Sequence, residues 1–291
     1  MTHIEVAGRT LELSSLEKVL WPEAGFTKGD MLEYYRRIAP ALLPHVAGRP
    51  VTLGRFPDGV DRYGWYQTNC RGNPEWIATR RVGTQDYCVL EDSAGLLWAA
   101  NMGAVELHPL LGRAAEVDEP TVVVFDLDPG GPASILDCCR VALLVREWLT
   151  GAGLESFVKT SGSLGVHVYV PVNARVTYDQ TKAFARRVAE ELAESDPDRI
   201  VAKPARKLRA GKVLVDWGQN VATRSMIAPY SLRGTAWPLV SAPVSWNEVE
   251  AAAARGEPSS VTFAPSEVLA RVERSGDLFA PVTSLVQPLP C

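Results

Sequence analysis

The sequence predicts a mixed α+β fold in which helices flank a central, antiparallel-rich sheet. Two observations carry that prediction. Apolar runs of strand length, such as "TVVVF" (121–125) and "VHVYVPV" (166–172), recur between longer segments of helical spacing. A glycine turn also joins "SFVKT" (156–160) directly to "VHVYVPV", the pattern of a hairpin rather than of a helical crossover. With 291 residues and 46% hydrophobic content, the chain can bury a substantial core.

The elements follow in order. Tyr34, Tyr35 and Ile38 recur on one side of a helix at 28–39. "PVTLGRF" (50–56) is a strand that leads into the aromatic loop "GVDRYGWYQTN" (59–69). A strand at 85–90 precedes a helix at 92–103 containing Leu96, Leu97 and Trp98, and "AVELHPLL" (104–111) returns as a strand. After the run at 121–125, Ser134 caps a helix that Gly151 or Gly153 closes. Phe184, Val188 and Leu192 stand four apart on a helix at 179–195. A basic loop, the strand "KVLVDW" (212–217) and more irregular chain follow, with "RGEPSSVTFAPSE" (255–267) a surface connection ahead of a final helix.

A formal net charge of −4 excludes a protein that coats nucleic acid by bulk charge, so any phosphate binding has to come from local basic clusters. The five cysteines, Cys70, Cys88, Cys138, Cys139 and Cys291, are odd in number and lack C-x-x-C spacing, which predicts reduced, mostly buried thiols in a cytosolic protein and no zinc site. The N-terminus has no apolar h-region and no apolar run approaches 18 residues, so neither secretion nor membrane insertion is expected.

"TVVVFDLDPG" ends in two aspartates two positions apart. Residues i and i+2 share a strand face, so Asp126 and Asp128 stand side by side where like charges repel and burial is costly. One reading is a turn or helix-capping aspartate beside a solvated one. The other is a divalent-metal site, in which hard oxygen ligands suit Mg²⁺ or Mn²⁺ and the cation removes the repulsion. "KVLVDWGQN" supplies a third carboxylate, Asp216, again at the end of an apolar strand with Leu214 on its face. Between these, "SGSLG" (161–165) is either a plain hairpin turn or one whose N–H groups converge on an anion, and it is not a Walker A loop because no GK[ST] follows. His167 and Tyr169 share one face of the next strand, and His108 taken alone is a core or strand-edge histidine. Lys203, Arg206, Lys207, Arg209 and Lys212 make either a solvated loop or a phosphate-binding approach. Tyr63, Trp65 and Tyr66, flanked by Arg55, Arg62 and Arg71, read as a base-stacking platform or as core aromatics.

"LEKVLWP", "TKGD", "RPVTLGRFPDGVD", "NMGAVELHP", "VVVFDLDPG", "KTSGSLGVHVYVPV", "VLVDWGQN" and "APYSLRG" occur in that order. Together they resemble the polymerase domain of bacterial ligase D, a member of the archaeo-eukaryotic primase superfamily, over nearly the whole chain. With no ligase or nuclease sequence attached, the chain is similar to a stand-alone primase-polymerase of that family.

The resemblance implies a primase-like fold in one catalytic domain over 1–291. Within it, an N-terminal part contacts DNA ends (about 1–115), a catalytic sheet follows (about 116–240), and an extension ends the chain (about 241–291). Asp126, Asp128 and Asp216 match the family's catalytic carboxylates, which hold two ions of Mn²⁺ or Mg²⁺. Ser161, Ser163, Gly165 and His167 fall in its triphosphate motif, with Ser161 and His167 the best matched side chains. Gln219 and Arg233 match positions lining the nucleotide, and His108 matches the histidine of the "ELH" motif. Lys18 and Lys28 match lysines that grip a 5′-phosphate. Trp65 and Tyr66 match a pair that packs on the template strand, and Arg55, which flanks them, joins the DNA-binding set.

The implied function is template-dependent transfer of nucleotides, ribonucleotides preferentially, at DNA breaks or short gaps with a 5′-phosphate. NTP or dNTP is the substrate, and a separate DNA ligase and an end-binding protein are the partners. The implied location is the bacterial cytoplasm, at the nucleoid and away from membranes. Two positions depart from the pattern: Leu164 stands where a lysine is usual, and Trp65–Tyr66 where Phe-Phe is usual. The alternatives are a haloacid-dehalogenase-type phosphatase, whose D-x-D motif "FDLD" also resembles, and a non-catalytic DNA-end-binding module.

Overall fold

In the computed structural model, which describes residues 2–290, β1 (Thr2–Val6) and β2 (Arg9–Leu13) pair as a hairpin that buries Leu11 and Leu13. β3 (Val19–Trp21) and β4 (Phe26–Thr27) form a second. Thr27 then starts α1 (Lys28–Val46) with a capping box: its hydroxyl accepts from the Asp30 N–H, and Asp30 accepts from the Thr27 N–H. The helix runs on past the expected end at 39, through Pro40 and Pro44. Both prolines lie on its exposed side, where the carbonyls that lose an N–H partner meet water. Met31, Tyr35, Ile38 and Leu42 fill the opposite, buried side.

β5 (Pro50–Arg55), β6 (Trp65–Gln67), β7 (Ala78–Val82), β8 (Gln85–Val89) and, after α2 (Ser93–Asn101), β9 (Ala104–Pro109) form a five-stranded antiparallel sheet. β5 pairs with β9 on one side and with β6 and β8 on the other. Part of the expected aromatic loop is therefore strand β6. The cysteines give a correction: Cys70 and Cys88 are joined by a disulfide, with Cα atoms 4.8 Å apart, and are not reduced thiols. They meet because Cys70 N–H donates to the Asp86 carbonyl at 2.6 Å, while the Asp86 N–H donates to Asn69 Oδ1, which lays the chain after β6 against β8. Cys138 and Cys139 are buried free thiols, as expected. Cys291 lies outside the described residues.

The second sheet positions the chemistry. β10 (Val122–Pro129) is followed by α3 (Ile135–Gly151), β11 (Phe157–Thr160), β12 (Val166–Pro171), α4 (Tyr178–Ser195), β13 (Ile200–Val201), β14 (Val213–Asp216) and β15 (Pro243–Val244). The strand order is β13-β14-β10-β12-β11-β15, antiparallel except for β13 with β14. Val123, Phe125 and Leu127 of β10 alternate onto the same buried layer as Val166, Val168 and Val170 of β12, which α3 and α4 cover. The other face is divided along the strands. Val122, Val124 and Tyr169 pack with Met226 and Phe279, and beyond them stand Asp126, Asp128 and His167. Buried Asn220 accepts from the Val124 N–H and donates to the Val124 carbonyl, pairing the edge of β10 where β14 has ended. Ser134 is the N-cap of α3, as the sequence predicts, and its N–H and hydroxyl both donate to Asp137 Oδ2. α5 (Trp246–Arg255) packs on α3 and α6 (Pro265–Ser275) on α1. No helix of the described residues is long and apolar enough to cross a membrane.

Candidate active site

Strand register assembles the carboxylates. Asp126 lies opposite His167 of β12 on one side and opposite Asp216 of β14 on the other, with Asp128 two positions along the same face. Asp126 Oδ1 is 3.2 Å from His167 Nε2, and Asp128 Oδ2 is 3.8 Å from an Arg209 nitrogen. Asp216 accepts from the Gly218 N–H at 2.8 Å and from Gln219 Nε2 at 3.0 Å. Burial, and then the charges of Asp126 and Asp216, push the Asp128 carboxyl up to about 6.

His167 moves the other way. Burial, and then the Lys159 ammonium, push it down to about 4, so the ring is neutral at physiological pH. Facing the Asp126 carboxylate, Nε2 carries the ring proton, and Nδ1 accepts from Lys159 Nζ at 2.9 Å. Fully buried Lys159 also donates to Ser241 Oγ at 2.6 Å. Sequence reading passed over Lys159, because a lysine inside "FVKT" alternates like a solvent-facing residue of a half-exposed strand.

The turn at 161–165 is built as a convergence of amides, and its focus is the Ser161 hydroxyl. The Ser163 and Gly165 N–H groups both donate to Ser161 Oγ, at 3.1 and 3.0 Å. With both acceptor positions filled, the Ser161 O–H is left to donate outward. Two glycines are required here. Gly162 has φ +72°, and a Cβ on it would come within 2.7 Å of Arg233 Cγ. A Cβ on Gly165 would lie 2.6 Å from the Leu127 carbonyl oxygen. Leu164 is 68% exposed at the rim, adding no charge.

Asp126, Asp128, Ser161, Ser163, Gly165, His167, His108, Gln219 and Arg233 line one cavity of about 380 Å³, together with Leu164 and Arg209. Asp216 stands beside Asp126 in the sheet. Among the described residues, no three His, Cys, Asp or Glu side chains have converged to hold an ion. The donor set nonetheless fits a hard divalent cation. Three carboxylates share one face of the sheet on two neighbouring strands, and burial together with the charges of Asp126 and Asp216 raises Asp128.

A residue that sequence reading missed joins the cavity to the aromatic side. Glu106, 3% exposed, accepts from His108 Nε2 at 2.8 Å and Tyr66 OH at 3.1 Å through Oε2. Through Oε1 it accepts from the Gly234 N–H at 2.8 Å and ion-pairs with Arg233 at 3.3 Å. Burial alone would raise this acid, but the His108 bond and the Arg233 charge outweigh it and hold Glu106 at about 2. The one sequence signal for it was its place two residues before His108 on one strand.

The aromatics lie at the surface and not in the core: Tyr63 and Trp65 stack with centroids 6.1 Å apart, and Tyr66 is 59% exposed. Arg55 sits over Trp65 and donates to Gln67 Oε1, so it braces the platform. Lys18 pairs with Asp58 at 2.6 Å, and Lys28 is mostly buried with Nζ on the Ser14 carbonyl at 2.7 Å. Burial, and then the nearby Lys18 charge, lower the Lys28 ammonium. Of the basic stretch, Lys203, Arg206 and Lys207 are exposed, whereas Arg209 turns inward to Asp128.

A strand-end aspartate pair beside an antiparallel partner carrying a third is incompatible with the doubly wound parallel sheet of a haloacid-dehalogenase-type phosphatase, since both pairings of β10 are antiparallel. The fold and comparisons place the chain among primase-polymerase domains. It belongs to the LigD primase-polymerase domain family, whose model matches residues 27–279. It is 38% identical over 279 residues to the multifunctional non-homologous end joining protein LigD of Mycolicibacterium smegmatis, covering 94% of this chain and 36% of that protein. It is 29% identical over 271 residues to the bifunctional LigD of Bacillus subtilis, covering 91% and 43%. The chain thus spans well under half the length of these relatives. The solved polymerase domain of Mycobacterium tuberculosis ligase D in complex with DNA superposes with a TM-score of 0.87 at 35% identity, over 95% of this chain and 99% of that one.

Proposed function

We propose that the chain is a metal-dependent, template-directed nucleotidyltransferase that adds nucleotides, ribonucleotides preferentially, at 5′-phosphorylated DNA breaks or short gaps. It would serve end joining or gap-filling repair beside a DNA ligase and an end-binding protein. The observation that carries this reading is the pairing of Asp126 with Asp216, with Asp128 on the same face, at a cavity lined by Ser161, His167 and Arg233. DNA in the complex of the M. tuberculosis relative supports a DNA substrate.

Asp126, Asp128 and Asp216 would hold two Mn²⁺ or Mg²⁺ ions, which when bound activate a primer 3′-hydroxyl and neutralise the triphosphate. The Ser161 hydroxyl, its proton directed outward, and the Arg233 guanidinium bind and orient phosphate oxygens. His167 Nε2–H holds Asp126 Oδ1, leaving Oδ2 free for ligation. Tyr63, Trp65 and Tyr66 offer faces on which template bases stack.

The test is primer extension on a 5′-phosphorylated gapped duplex with NTPs or dNTPs in Mn²⁺ or Mg²⁺. Asp126→Ala is expected to abolish extension, and a Lys18→Ala/Lys28→Ala variant to lose the preference for the 5′-phosphate. Extension by Asp126→Ala at the wild-type rate would overturn the catalytic reading. An intact preference in the double variant would overturn the end-recognition claim. A wild type that binds DNA ends but incorporates nothing would make the chain the non-catalytic module.

A further inference from the structure

We propose that Glu106 is a positioning residue that couples the template-facing Tyr66 to the nucleotide-facing His108 and Arg233, so that template and nucleotide bind cooperatively. This rests on the nucleotidyltransferase reading and adds a link between its two binding surfaces.

The geometry is a single rung across three strands. Gly54 of β5 lies opposite Tyr66 of β6 on one side and opposite Glu106 of β9 on the other. The middle position carries no side chain, and a Cβ there would stand 2.8 Å from Glu106 Cβ. The vacant space lets the phenol cross β5 and place its hydroxyl 3.1 Å from Glu106 Oε2. The same oxygen accepts from His108 Nε2, whose ring meets the Tyr66 ring edge to face at 5.2 Å.

Both carboxylate oxygens are engaged, and Oε2 alone touches the aromatic side and the cavity side together. Oε2 is shared by Tyr66 and His108, while Oε1 holds the Gly234 N–H and the Arg233 ion pair. A carboxylate is planar and rigid, so any rotation that follows Tyr66 also moves the oxygen that orients Arg233. Tyr66 is 59% exposed and absent from the cavity lining, whereas His108 and Arg233 line it. Glu106 is therefore the polar contact by which a base stacked on Tyr66 is felt at the nucleotide.

The experiment measures NTP affinity in Mn²⁺ for protein already bound to a gapped duplex, in wild type, Tyr66→Phe, Glu106→Gln and the double variant. Tyr66→Phe keeps the stacking ring and removes only the hydroxyl. It is expected to weaken nucleotide binding by about fivefold or more, the lower range of typical coupling between sites. Glu106→Gln is expected to weaken it at least as much, and the double variant no further than Glu106→Gln alone. Nucleotide affinity unchanged in Tyr66→Phe, or effects that multiply in the double variant, would overturn the coupling. If Glu106→Gln fails to fold, the surface substitution Tyr66→Phe decides alone. A wild type that neither binds nor incorporates nucleotide would overturn the enzymatic reading and the coupling with it. Normal wild-type incorporation with an unaffected Tyr66→Phe would overturn the coupling alone.

Discussion

Asp128→Asn should make the metal-free protein more stable while removing its catalysis. Burial and then the charges of Asp126 and Asp216 raise the Asp128 carboxyl from 3.8 to about 6. At about 1.4 kcal/mol per tenfold, a shift of that size corresponds to roughly 3 kcal/mol of unfavourable interaction for the ionised form. The Asp128 side chain is 45% exposed, and solvent screening reduces the gain to about 1 kcal/mol, or about 2 °C in melting temperature for a chain of this size. A carboxyl whose folded value is raised favours the fold while protonated. That contribution is complete below 3.8 and is lost as the pH rises through about 6. Thermal melts with chelator should show wild type and Asp128→Asn together at pH 4 and separated at pH 8, the variant higher. Added Mn²⁺ should then raise the wild type and narrow the gap. A variant no more stable than wild type at pH 8, or a gap that closes with rising pH, would refute the account of a cation site held open by repulsion.

Two further outcomes are expected. Leu164→Lys places a cation at the cavity rim beside Ser163 and should tighten NTP binding by about threefold to tenfold at low salt, the gain fading near 0.5 M salt in the same titration. Asp277→Asn removes an acid that accepts from His45, Tyr230 and the Phe279 N–H, and should cost about 2 kcal/mol in urea unfolding at pH 7. Burial opposes the ionised form of Asp277, but the His45 bond outweighs it and lowers the acid, so its contribution is complete above 3.8 and lost as the pH falls through the lower folded value. The urea stabilities of wild type and Asp277→Asn should converge below that window.

The strands that carry the carboxylates were legible because their pattern is local. Alternation in "VHVYVPV" set His167 apart from the valines that bury against α3, and the i, i+2 spacing put Asp126 and Asp128 on one face before any partner strand was known. What could not be read is what strand pairing decides. Glu106 becomes a hub only because Gly54 is its cross-strand neighbour and Tyr66 lies one strand further. Cys70 and Cys88 become a disulfide only because Asn69 and Asp86 lay two separate segments together. α1 outran its expected end because the penalty for an internal proline depends on which side of the helix faces water, and that side is fixed by tertiary packing. The segment 161–165 was legible as a turn, but its amides' focus on the Ser161 hydroxyl was not.

β14 reaches β10 only after the chain has passed through α3, the β11–β12 hairpin and α4. Asp216 therefore joins Asp126 through the closing of a long loop, an event that trails local helix formation because the entropy of closure is lost before strand pairing can offset it. In a refolding experiment, the helical signal of α3 and α4 should recover first and nucleotide incorporation last. Regained activity would then clock the docking of a single short strand, and the enzyme would report the completion of its own assembly.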